Sequence, residues 1–230
     1  MKNIFSYDSK LVTSLSFIAD LFILNLLYLV CSLPLFTIGA AQAGLHNAVR
    51  ILQDPLDGRS TVKAFFRGFK EGFGRITLAW LLFYVIEGIL YYTLYITLTY
   101  AETGLFVHWG FPLAGLCVAL VYQSVIAMFH SQFSCTFWQL LRNSAMMMVW
   151  HPLASILTGV MMYAPAVLFL LDVQFFIQIT PLFLTVYYSV ACLMSYLLSQ
   201  KAFKALIDNF NDPGDPEVKE EAPQPEKVDS

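Results

Sequence analysis

The sequence predicts an all-α, polytopic transmembrane helical bundle, and three observations carry that prediction. Hydrophobic residues make up 58% and charged residues 13% of the 230, against about 45–50% and about 25% in an ordinary soluble domain. Lys and Arg are missing from three long windows, 11–49, 76–141 and 143–200. The cationic residues that remain gather between those windows. A chain with so few charges cannot coat a soluble particle, so its outer surface faces lipid. The same composition excludes intrinsic disorder, a coiled coil and a basic nucleic-acid binder.

Each element follows from the windows. Crossing ~30 Å of hydrocarbon takes about 20 helical residues at 1.5 Å each. The first window is too long for one straight span and tight for two. Pro34 supplies the break, because it removes a backbone donor and pushes Leu33 out of helical geometry. The expected helices are 11–33, a short second one at 37–52, then 76–99, 111–130, 152–171 and 175–206. With six helices, Lys2 and Lys10, Arg50 through Arg75, Arg142, Lys201 and Lys204 all fall on one side. Glu102 and Asp172 fall on the other. The positive-inside bias then puts both termini in the cytoplasm. A five-helix arrangement is the alternative, and it would place Lys2 and Lys10 outside. Gln42, His46 and Asn47 make the second helix the least lipid-friendly.

Two domains are expected: a transmembrane helical domain over 1–206 and an acidic, Pro-containing tail over 207–230. The last twenty residues carry seven acids, two lysines and four prolines. Such a segment buries too little apolar area to offset chain entropy, so it is expected to be disordered. No small-residue cleavage site follows the first apolar run, so that run is expected to be retained. Cys31, Cys117, Cys135 and Cys192 show no CxxC pairing and read as small packing residues.

The connector before the third span has a helical pattern of its own. Phe65, Phe66, Phe69 and Phe73 recur at i, i+1, i+4 and i+8, while Lys63, Arg67 and Lys70 take other directions. This describes an amphipathic helix for the cytoplasmic headgroup layer, or a docking face for a partner protein. Ser60 or Thr61 is suited to cap it. Residues 136–142, centred on Arg142, echo residues 61–67 at an offset of 75, as a parallel internal repeat would.

Candidate chemistry centres on Glu87, a carboxylate near the middle of an apolar span. Trp80, Tyr84, Glu87 and Tyr91 are spaced 4, 3 and 4 and share a helix face. They make either a sugar- or amine-binding site of rings and an acid, or an interhelical hydrogen-bonding lock. Asp20 and Asn25 on the first helix, with Gln42, His46 and Asn47 on the second, form a polar membrane cluster if the two helices make a hairpin. That cluster reads as interhelical bonding or as a proton or solute path. The histidines show no HExxH or i, i+4 pairing, and no P-loop, GxSxG or GxGxxG appears. No enzyme activity, metal or cofactor is expected.

Three stretches together resemble a known family. They are Asp20-Leu21-Phe22-Ile23-Leu24-Asn25-Leu26-Leu27, Cys31-Ser32-Leu33-Pro34-Leu35-Phe36-Thr37-Ile38-Gly39-Ala40-Ala41, and Phe65-Phe66-Arg67-Gly68-Phe69-Lys70-Glu71-Gly72-Phe73. They resemble the YesL family of bacterial integral membrane proteins, a domain of unknown function (624). The likeness is strongest over residues 5–100. Gly72 stands where that family often has Asn, and Leu45-His46 where it tends to have Leu-Tyr. The resemblance implies a multi-pass protein of the bacterial plasma membrane. Such proteins are often encoded beside carbohydrate-uptake systems, which implies an accessory role with transporter subunits as partners. The alternative is a small secondary carrier for a sugar or other solute, with Glu87 in its path.

Overall fold

A computed structural model describes residues 10–53, 60–100, 106–211 and 224–225. Lys2, Arg59, Glu102 and most of the acidic tail lie outside the described residues. The order is α1 (Lys10–Cys31), a 3-10 turn (Leu35–Thr37), α2 (Ile38–Leu52), α3 (Thr61–Tyr100), α4 (Phe106–His130), α5 (Phe137–Trp150), α6 (Pro152–Leu171) and α7 (Val173–Leu182), then a π-helical segment (Phe183–Tyr187) and α8 (Tyr188–Asn211). One short extended contact joins Phe133 to Pro225 and Ser134 to Gln224.

Five helices are long and apolar enough to cross a membrane: Ser14–Cys31, Thr61–Thr99, Trp109–His130, Pro152–Leu171 and Val173–Gln200. The chain is therefore a multi-pass helical membrane protein by length and composition. The second expected helix is present, but its 15 residues reach only about 22 Å, and twelve of them are buried. α2 is a core helix that touches little solvent or lipid.

The break at Pro34 is where expected. Thr37 closes it, its hydroxyl donating to Cys31 O at 2.6 Å and Pro34 O at 2.7 Å. α1 and α2 form a hairpin along the first half of α3. Asp20, midway along α1, meets Thr61 at the start of α3, and Leu35 O, just beyond the end of α1, meets the Tyr84 hydroxyl. α2 returns the opposite way, with Gly39 at Trp80 and Asn47 at Ala64.

The connector and the third span differ from expectation. They are one unbroken helix of 40 residues, about 60 Å long. No proline stands between Gly72 and Arg75, and α2 packs against Gly68 and Gly72 while Gly74 faces open space. A Cβ at Gly68 would lie 2.7 Å from Asn47 Cβ, and one at Gly44 2.8 Å from Phe65 O. Small residues here let the two backbones approach closely.

Two further helix starts have local causes. Thr136 and Gln139 form a capping box at α5, and Asp172 caps α7 by accepting from Phe175 N at 3.0 Å. The repeat suggested by residues 61–67 and 136–142 extends only to both segments opening a helix. α5 stops after 14 residues at the His151–Pro152 turn, whereas α3 runs on.

Candidate functional site

The polar groups of the spans converge in the interior of the bundle. Glu87 projects from α3 beside Gln123 of α4, which is fully buried. Gln123 Nε2 donates to Glu87 Oε1 at 2.8 Å, and Tyr163 of α6 donates its hydroxyl to Gln123 Oε1 at 2.8 Å. The donors run in one direction, from Tyr163 through the amide to the carboxylate. Tyr163 also stands within electrostatic range of Tyr28 and Tyr84, and Tyr28 stands near Tyr188 and Cys192. The Tyr28 and Tyr188 rings lie 4.8 Å apart, centroid to centroid. Five helices thus contribute a polar or aromatic group.

The proposed face on α3 divides along its length. Trp80 is buried and meets the edge of Tyr84, with centroids 5.9 Å apart. Tyr84 and Glu87 are half-buried, and Tyr91 is 65% exposed on the lipid side. Tyr91 therefore does not join the other three. Nothing in the sequence singles out Gln123 or Tyr163 from the other polar residues of α4 and α6, such as Ser124 and Thr158. Helical spacing relates residues on one element and says nothing about which foreign amide meets a carboxylate.

The α1 and α2 polar residues bond to other helices, and no hydrogen bond between the two sets is seen among the described residues. Asp20 accepts from Thr61 at 3.0 Å on α3. Asn47 donates to Ala64 O at 2.8 Å and accepts from Arg50 at 2.9 Å. His46 Nδ1 lies 3.1 Å from Cys192 Sγ on α8. Asn25, fully buried, serves the π segment: its Nδ2 donates to Phe183 O and Leu184 O, and its Oδ1 accepts from Tyr188 N and Ser189 N. A π turn takes backbone groups out of the regular ladder, and one amide repairs four of them.

The connector residues split by face. Phe65 is fully buried against α2 and Phe69 is half-buried, whereas Lys63, Phe66, Arg67, Lys70 and Phe73 are exposed. Phe65, Phe69 and Phe73 form a ladder with centroids 6.4 and 5.7 Å apart. Two of its rings thus pack inward instead of facing headgroups. Arg142 is exposed on α5 beside Trp138. Arg75 donates to Cys135 O at 2.8 Å. Burial pushes the Cys135 thiol up to about 11 despite that guanidinium, so at neutral pH it is a protonated packing group, not a nucleophile. Among the described residues no three of His, Cys, Asp and Glu gather as a metal set.

Fold and site together define a multi-pass helical membrane protein with a polar, aromatic interior. Residues 21–94 match the family model described as protein of unknown function, DUF624, which is the YesL-type domain of unknown function. No curated protein and no solved structure matches the chain.

Proposed function

We propose that this is a bacterial plasma-membrane protein that serves as a partner subunit in carbohydrate uptake, crossing six times with both termini cytosolic and α2 counted as a short crossing. The observation that carries the partner role is the contrast between interior and surface. Inside, Glu87, Gln123, Asn25 and Asn47 are committed to holding helices together. At the surface, Lys63, Phe66, Arg67, Lys70 and Phe73 of α3 and Trp138, Arg142 and Trp150 of α5 are exposed. An open cleft of about 370 Å³ is bordered by Trp150, His151, Pro152, Leu153 and Leu198. Exposed aromatic and Arg anchors are what interfaces use. The carbohydrate part rests on the YesL-type domain and its association with uptake systems.

Purification in mild detergent is expected to recover transporter subunits with the wild-type chain, and several-fold less with Lys63, Arg67 and Lys70 all changed to Gln. Recovery of the chain alone from both would end this reading.

A carrier is the second reading, favoured by Glu87 in the midst of Tyr84, Gln123 and Tyr163. Vesicles containing the chain would then show gradient-driven solute flux that Glu87→Gln abolishes, with folding retained because the amide still meets Gln123. Flux equal to that of empty vesicles, or unchanged in the variant, refutes it.

A further inference from the structure

The α2–α8 seam contains three buried polar atoms that no protein group satisfies. Gln42 and His46 stand one turn apart on α2, so they share a face, and they are only 2% and 1% exposed. That face meets α8, where His46 Nδ1 touches Cys192 Sγ. Gln42 Nε2, His46 Nε2 and Ser189 Oγ are all buried without a hydrogen-bond partner. Ser189 precedes Cys192 by three residues and shares its face on α8.

The direction of the helices brings these atoms together. α2 runs antiparallel to the start of α3, as Gly39 at Trp80 and Asn47 at Ala64 require. α3 runs antiparallel to α4, where Gln123 meets Glu87 and His130 approaches Gly72. α6 runs antiparallel to α4, with Tyr163 at Gln123 and Thr158 at Met128, and α8 antiparallel to α6, from Tyr187 at Met161 to Ser199 beside Met128, so α8 runs in the direction of α4. α2 and α8 therefore run the same way. The turn before His46, which carries Gln42, lies beside the turn before Cys192, which carries Ser189.

We propose that Gln42, His46 and Ser189 bind one water-sized hydrogen-bond acceptor in this seam. The amide nitrogen of Gln42 only donates. With the Cys192 thiol donating into Nδ1, His46 Nε2 carries the proton and donates as well. Ser189 both donates and accepts. Two donors and one adaptable hydroxyl match the two lone pairs and a proton of a water molecule, and a buried water typically makes about three such bonds. A halide of similar size would accept from all three. The site is independent of the partner and carrier readings, because it follows from unsatisfied groups and not from any transported solute.

Millisecond X-ray radiolysis of the full chain in lipid nanodiscs tests it, since hydroxyl radicals form from water bound at the residue they oxidise. Cys192 is fully buried and Cys135 is 7% exposed, so exposure alone predicts faster oxidation of Cys135. The expected result is the reverse, with Cys192 modified several-fold faster. Exchanging chloride for gluconate separates the two sources. An unchanged thermal midpoint with fast Cys192 oxidation assigns water. A midpoint that falls in the wild type and not in Gln42→Leu assigns a halide. Slow oxidation of Cys192 with no effect of chloride overturns the proposal.

Discussion

Replacing Asn25 by Leu is expected to lower the thermal midpoint in detergent by roughly 10 °C, at about 2–4 °C per kcal/mol for a chain of this size. The side chain is nearly isosteric, so the volume it fills is kept. The loss falls on Phe183 O, Leu184 O, Tyr188 N and Ser189 N, which the amide now joins at 2.9–3.3 Å. In water-soluble proteins a buried group left unpaired costs about 1–3 kcal/mol. Interhelical bonds in membranes measure less, averaging about 0.6 kcal/mol, so four together amount to a few kcal/mol. Asn25→Asp keeps the acceptor for Tyr188 and Ser189 but removes both donors, and should lose an intermediate amount. A Leu variant that melts with the wild type would mean that the π segment closes without help.

The second large effect is expected at the α2–α3 contact. Gly44→Ala places a methyl group 2.8 Å from the Phe65 carbonyl oxygen and 3.2 Å from Phe69 N. Both are backbone atoms and cannot rotate away, so the helices must separate. Overpacking of this kind costs about 1–3 kcal/mol. Gly74→Ala on the same helix pair is the control. Nothing lies within 4 Å of a Cβ there, and Ala is favoured over Gly in a helix by about 1 kcal/mol. The two identical chemical changes should move the midpoint in opposite directions. Equal effects at both sites would show that propensity, not contact, governs this seam.

The sequence displayed the spans because apolar length and missing cations are local properties. The C-terminal end of α4, both ends of α6, the Pro34 break and the odd character of α2 were all legible this way. Fusion of the connector with the third span was less so. The pattern around Phe65 looks interfacial in isolation, and only the small residues of α2 opposite it turn Phe65 and Phe69 inward. The hairpin of α1 and α2 was legible, but its polar contacts were not. Asp20, Asn25, His46 and Asn47 reach α3 and α8, whose approach depends on the whole bundle. Glu87 stood out as a charge in an apolar run. Its partners Gln123 and Tyr163 lie 36 and 76 positions further along the sequence, and no periodicity links them.

The bonds from Asn25 to Leu184 and from His46 to Cys192 join residues 159 and 146 positions apart. Asn25 and His46 are thus completed by segments that leave the ribosome well over a hundred residues after them. α2 has few lipid-facing residues, and its His46 Nδ1 meets its partner only once Cys192 of α8 is in place. A nascent chain halted before residue 188 would lack the Tyr188 and Ser189 partners of Asn25 and the Cys192 partner of His46.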